Sequence, residues 1–221
     1  MAQAVKGSDK SRRSRRAAAT RGRIVEAAWR QFEAGGFEAA RIEDIAGAAD
    51  VAVATVYKVF RNKRPLLEAA LDLAMSGSPG AMVDQQGWWR EQLEEPDGRR
   101  QLLLIARNAR RIYERAGVLL DVVRTAAFGD THIAAIWQRV NDDRLGRSRT
   151  SMTRLATKAR LRDGLSLREA VLTIWSLTGP ELYALRVTTA GSSPAEYERW
   201  LAGLLATTML EPVASARSRT R

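Results

Sequence analysis

Apolar positions recur along this chain at helical spacing, three and four residues apart, from residue 21 almost to the end. The spacing predicts a first helix over 21–34, with Ile24, Ala28 and Phe32 on one face, stopped at Gly35-Gly36. Ile42, Ile45, Ala46 and Ala49 then fall at i, i+3, i+4 and i+7, so all four share one face of a second, short helix. The break after it, Asp50-Val51, is too tight for a flexible loop. Aspartate tolerates the left-handed conformation that ends many helices, and Val51 is expected as a buried plug. In a third helix Val56 and Phe60 sit one turn apart and face inward, which leaves Val53, Ala54, Thr55, Tyr57 and Lys58 outside and at its start. Asn62-Lys63-Arg64-Pro65 opens a fourth helix: asparagine caps, proline is tolerated in a first turn, and the free N–H groups there suit a phosphate. It runs to about Met75 and ends in the Ser76–Gly80 breaker cluster.

Beyond Gly80 the pattern is poor as far as Gly98, although Trp88-Trp89 must find cover. A fifth helix carries Leu102, Ile105, Ala106, Ala109, Ile112 and Tyr113 on its stripe. A sixth, 118–128, is apolar on most sides and therefore central. A seventh spans 131–158; its polar middle, 141–150, predicts that part of it leaves the bundle. Ser166 with Glu169 three residues on forms a capping-box pattern for an eighth helix, which Pro180 should kink near 176–179. Ser193-Pro194-Ala195-Glu196 opens a ninth, with Tyr197, Leu201, Leu204, Leu205 and Thr208 on one face.

The layout of the first four helices is that of a helix-turn-helix, and residues 20–71 resemble the N-terminal domain of the tetracycline-repressor (TetR) family. The resemblance is carried by Ile24, Ala27, Ala28 and Phe32, by Gly36-Phe37, by Ile45-Ala46, and by Val51, Thr55, Tyr57, Phe60, Asn62, Lys63 and Leu66-Leu67. It implies an all-α fold of about nine helices: a three-helix helix-turn-helix DNA-binding domain, then a helical bundle for ligand binding and dimerisation. The expected organisation is a basic disordered arm over 1–20, a DNA-binding domain over 21–76 (helix-turn-helix about 41–60, fourth helix from 63), a helical domain over 81–212 and a basic tail over 213–221. The segments 173–187 and 193–205 resemble the last two helices of a common subgroup, which implies a homodimer through the eighth and ninth helices.

Composition narrows the function. Six prolines and abundant Ala, Leu, Arg and Glu favour helix throughout. With no cysteine and one histidine, no phosphate-binding glycine loop after a strand and no HExxH, the equipment for acid–base, nucleophilic or zinc chemistry is missing. The chain is therefore expected not to be an enzyme, and to need no cofactor and no metal. No apolar run approaches the ~20 residues of a membrane span, and no secretory signal is present, which predicts a cytoplasmic protein. The formal charge of +11 is concentrated in the ends: residues 1–23 hold eight Lys/Arg against one Asp, and 217–221 hold three Arg, whereas 24–76 hold six basic against eight acidic residues. The tails are either solvated ends that aid solubility or, for the N-terminal arm, a source of phosphate or minor-groove contacts as arms are in several DNA-binding domains.

Carried over from the family, the DNA contacts are Arg41, Val53, Ala54, Thr55, Tyr57, Lys58 and Lys63. Arg41, Thr55, Tyr57 and Lys63 suit phosphate oxygens; Lys58 can reach guanine acceptors, and Val53 and Ala54 offer apolar contact to a thymine methyl. Two positions depart from the family: Ala52 stands where a capping Ser or Thr is common, and Asp50 where the turn usually has glycine. The walls expected for a ligand are Trp88, Tyr113, Arg124, Phe128, Trp137, Trp175 and Tyr183, with Arg124 and Asp121 also spaced for an i, i+3 ion pair. His132 is expected on the surface. The function implied is a sequence-specific, homodimeric repressor released from a palindromic operator on double-stranded DNA by a small-molecule effector. The alternative is a helical interaction protein of the same fold that acts through a protein partner.

Overall fold

The computed structural model describes the backbone of residues 2–212 and side chains from Arg12. Within it the fold is helical: ten α-helices, and no strand beyond an isolated antiparallel bridge between Leu161 and Leu210. None of these helices is long and apolar enough to cross a membrane. The basic tail at 213–221 lies outside the described residues.

Two compact units form. The first comprises the chain up to Ala81 together with Val118–Trp137, and the second Met82–Gly117 together with the chain from Gln138 onward. The segment 118–137 thus joins the first unit, although the pattern assigns it to the bundle domain over 81–212. In the first unit α1 (Ala2–Ala39) is followed by α2 (Ile42–Ala48), α3 (Val53–Phe60) and α4 (Lys63–Ser76). Ile24, Ala27, Ala28 and Phe32 of α1, Ile45 and Ala46 of α2, Val56 and Phe60 of α3, and Leu66 and Leu67 of α4 are buried as their spacing predicts. Gly36 leaves helical geometry at φ 76°, where a side chain would be strained, and so ends the first helical run. The arm differs from expectation. It continues α1, because Arg, Lys and the Ala17–Ala19 run are good helix formers and no proline interrupts them before residue 21.

In the second unit, a 3-10 turn (Val83–Gln85) and α5 (Gly87–Glu94) occupy the stretch whose pattern is poor. Gln92 of α5 is buried. It donates to Ser151 Oγ at 3.1 Å and accepts from Asn108 Nδ2 at 3.0 Å, while Gln101 Nε2 donates to the Ser151 carbonyl at 3.1 Å. This short helix is fixed by a polar network rather than an apolar stripe, and an apolar stripe is what the pattern detects. Trp88 and Trp89 are only half-buried.

The fifth and sixth predicted helices are one, α6 (Gly98–Ala126). Gly117 lies within it at a cost of about 1 kcal/mol of helix propensity, although a Cβ there would meet the Tyr183 ring only at an ordinary contact distance of 3.9 Å. Next come α7 (Thr131–Ala156) and α8 (Leu167–Leu177). Ser166 caps α8 by accepting from the Glu169 N–H. The expected kink is a full break: Gly179 is extended and Pro180 starts α9 (Pro180–Tyr183), which passes into a π-helical turn over Ala184–Thr189. A capping box of Ser193 and Glu196 opens α10 (Pro194–Met209).

Candidate nucleic-acid interface

The bend between α2 and α3 is made by Asp50 at φ 52°, with the Asp50 and Val51 N–H groups donating to the Gly47 and Ala46 carbonyls at 3.2 and 3.1 Å. Val51 is half-buried rather than a sealed plug. Two arginines of α1 fasten this bend: Arg23 Nε donates to the Ala49 carbonyl at 3.2 Å, and the Arg21 guanidinium lies 4.3 Å above the Phe60 ring. Part of the charge counted with the basic end is therefore structural.

With Val56 and Phe60 facing inward, the opposite side of α3 is fixed. Ala54, Tyr57 and Lys58 are exposed in one stripe, and Arg61, also exposed, follows as the C-cap of α3. Val53 and Thr55 flank the stripe, half-buried. Arg61 is absent from the contacts the family resemblance supplies. Arg61 holds a positive φ of 59°, and its N–H closes α3 on the Tyr57 carbonyl at 2.8 Å. Neither α2 nor α3 has a side-chain cap: Arg41 and Ala52 occupy the N-cap positions without a capping hydrogen bond. The Arg41 side chain is exposed and only loosely paired with Glu43, at 3.6 Å.

Lys63 differs from the others. Its ammonium donates to the Glu38 and Ala40 carbonyls at 3.1 and 3.2 Å and sits 4.4 Å above the Phe37 ring. It closes the chain end after α1, so a phosphate would have to share it. Arg64 beside it pairs with Asp130 at 2.7 Å; Asp130 also caps α7 by accepting from the His132 and Ile133 N–H groups. The hydrogen bond from Arg64, with those from the backbone, holds the Asp130 carboxyl below its ordinary range. His132 is exposed, as expected.

The seven residues expected to wall a ligand site are divided between the two units. Arg124, Phe128 and Trp137 belong to the first unit and Trp88, Tyr113, Trp175 and Tyr183 to the second. Phe128 is 86% exposed, because α6 ends at Ala126 and leaves it in a turn. Arg124 forms the i, i+3 pair with Asp121 on the surface at 2.5 Å.

Tyr113 and Tyr183 do come together, with ring centroids 5.6 Å apart, and Tyr197 meets Tyr183 edge-on at 4.9 Å. Beside them is a residue the pattern misplaces. Arg144, in the stretch of α7 expected to leave the bundle, is 8% exposed and donates to Asn141 Oδ1 at 3.0 Å and the Trp175 carbonyl at 2.8 Å. Among the described residues no group of His, Cys, Asp or Glu is placed to hold a metal ion.

The described residues fold as an all-helical protein with a helix-turn-helix near its N-terminus. Residues 24–70 match the family described as bacterial regulatory proteins, tetR family. Solved structures extend the likeness beyond that domain. A putative TetR-family regulator from Rhodococcus sp. superposes with a TM-score of 0.67 at 17% identity, over 86% of this chain and 98% of the other. A putative transcriptional regulator from Saccharomonospora viridis, in complex with choline, gives 0.67 at 19% over 87% and 98%. FadR from Bacillus subtilis, in complex with stearoyl-CoA, gives 0.67 at 16% over 84% and 97%. No curated protein matches the chain in sequence.

Proposed function

We propose that the protein is a homodimeric repressor that holds a near-palindromic operator through α3 of each protomer and leaves it when a small molecule enters the second unit. The observation that carries this reading is the outward stripe of Ala54, Tyr57 and Lys58, followed by exposed Arg61 and backed by buried Val56 and Phe60. A short helix so mounted presents one base-reading amine, one small apolar contact, and aromatic and guanidinium groups suited to backbone oxygens. Arg41 and Thr55 add phosphate contacts, and Lys63 adds one more insofar as phosphate shares its ammonium. The open N-termini of α2 and α3 leave N–H groups facing outward.

One such helix reads too few bases for useful specificity, so two copies are needed, with recognition helices roughly 34–36 Å apart or at a related groove spacing. Dimerisation through α8 to α10 is supported by Leu172 and Leu185, which remain exposed there, and by half-buried Trp200 and Leu204. Ligand control is supported by the two relatives that carry choline and stearoyl-CoA. The Arg64–Asp130 bridge ties the first turn of α4 to the start of α7, a helix that continues into the second unit, and so offers a route by which effector binding moves the DNA-reading helices.

The decisive experiment is a gel shift with the DNA upstream of the protein's own gene, run with excess nonspecific competitor. A discrete dimeric complex supports the proposal. A folded dimer that prefers no duplex over competitor sinks it and favours action through a protein partner. Deleting residues 1–20 tests the arm: four of its arginines, Arg12, Arg13, Arg15 and Arg16, lie exposed on α1. The slope of log K against log salt should become shallower by about 0.9 for each phosphate that the arm neutralises.

A further inference from the structure

From Arg12 to Val25 α1 carries six arginines and no acidic residue. Residues 12–19 are all exposed, so tertiary packing contributes little to this part of the helix. Its own charges work against it. Arg12 and Arg16 are i, i+4 neighbours, and Arg12 with Arg15 and Arg13 with Arg16 are i, i+3 neighbours. Like charges at these spacings repel, and cations toward a helix N-terminus oppose its dipole. An anionic partner relieves both effects.

The place where the arm departs identifies that partner. Arg23 Nε donates to the Ala49 carbonyl at 3.2 Å and the Arg21 guanidinium lies 4.3 Å above the Phe60 ring, so α1 is fastened to the α2–α3 bend and to the far end of α3 just before the arm leaves the domain. Arg12 and Arg16 precede Arg23 by eleven and seven residues, three and two turns, and share its face to within roughly 20°. Arg13 and Arg15 stand roughly 80° to either side of that face. Conformation then sets the mode of contact. An α-helix with its side chains is roughly 10–12 Å across and an undistorted minor groove roughly 6 Å wide, so a helical arm is kept out of the groove and meets the phosphates instead.

We propose that the arm binds as a rigid helix: Arg12 and Arg16, kept in line by Arg23, hold backbone phosphates of duplex DNA beside the site that α3 reads, and Arg13 and Arg15 at the flanks contribute less. The planar fork of a guanidinium matches a phosphate. Phosphates carry no sequence information, so the arm adds the same affinity to every duplex, and it does so only while the helix is unbroken. This inference rests on the DNA-binding reading above and specifies how the arm takes part in it.

The test titrates the full chain with the upstream duplex and with bulk competitor duplex over a range of salt. Two double variants remove the same charge, Arg12→Gln with Arg16→Gln and Arg13→Gln with Arg15→Gln. The first should flatten the slope of log K on log salt by about 1.8, at about 0.9 per phosphate, and the second by less than half as much, equally on both duplexes. Ala18→Pro keeps every charge but breaks the helix between the arm and Arg23, and should lose most of what the first double variant loses. All five positions are exposed, so thermal melts should show the fold intact. Exchanging A·T for G·C pairs in the flanking DNA should leave the arm's share unaltered. Equal flattening by the two double variants, or full affinity in Ala18→Pro, would mean a flexible cloud of charge and overturn the proposal. No flattening in either double variant, or an arm contribution that vanishes with the flanking A·T pairs, would overturn it too. A parent protein that prefers no duplex sinks sequence-specific binding, while the same comparison on bulk duplex still decides the arm; a normal preference with none of these differences sinks the arm alone.

Discussion

The two units handle polarity in opposite ways. The first buries an apolar interior and keeps its charged chemistry outside, on the exposed edge of α3 and at the start of α4. The second encloses polar side chains: Gln92, Gln101, Asn108, Ser151 and Arg144 are all below 9% exposed. Within the first unit Asn62 and Asp130 cap α4 and α7, whereas α2 and α3 begin with no side-chain cap. Open helix ends leave N–H groups of the kind that suit phosphates. Apolar packing fills the interior of one unit, and in the other hydrogen-bonded polar side chains share it with the apolar core.

The comparison can be broken most directly at Phe32, which is fully buried and stacks on Phe37 with centroids 6.0 Å apart. Phe32→Ala should cost about 3–5 kcal/mol in urea unfolding and take DNA binding with it. A loss under 1 kcal/mol would mean that the first unit is not held by its apolar core. Lys58→Ala comes next: about 1–3 kcal/mol of affinity for the preferred duplex, with relaxed preference at one base pair and an intact fold. Uniform weakening over all sequences, read by competition binding, would reassign Lys58 to phosphate.

Asp130 sits where the first unit joins a charge pair to a helix cap. Its folded pKa is depressed, first by the Arg64 hydrogen bond, so its stabilising contribution is present above the ordinary carboxylate pKa and fades as pH falls through the depressed value. Asp130→Asn keeps a capping oxygen and removes the charge. The variant should melt below the parent at pH 7, and the gap should close in acid; a gap independent of pH would show that the ion pair contributes nothing. The tyrosines set the corresponding test in the second unit. Tyr113→Phe loses the bond to the Thr178 carbonyl and should cost about 1 kcal/mol, whereas Tyr197→Phe removes a buried hydroxyl that has no protein partner and should be neutral or stabilising. Equal losses in thermal melts would erase the distinction.

The same division explains what could be read in advance. Ile42, Ile45, Ala46, Ala49, Val56 and Phe60 are buried where helical spacing puts them, because in a small apolar core burial follows hydrophobicity. Arg144 was misplaced for the converse reason. A polar residue at an interior position carries no mark of it in the sequence, and α7 has no apolar substitute there to complete the stripe. Helix limits failed where no apolar stripe existed, as in α5. At Lys63 the ammonium already holds two carbonyls, which only the folded chain can show.

The finest test of the contrast lies at Ala52. It occupies the N-cap of α3 with φ −66° and ψ 144°, the extended geometry a capping residue needs, and it is exposed, so a hydroxyl fits without displacing anything. In Ala52→Ser the new oxygen can accept from an N–H of the first turn, as Ser166 does at α8, which should raise stability by about 0.5–1 kcal/mol. The consequence for DNA depends on what the open end is for. If the uncapped N–H groups bind phosphate, the serine competes for them and affinity should fall about two- to threefold while the melting temperature rises. A rise in both would show that α3 meets DNA through its side-chain stripe alone, and that the missing cap is a local weakness with no role in binding.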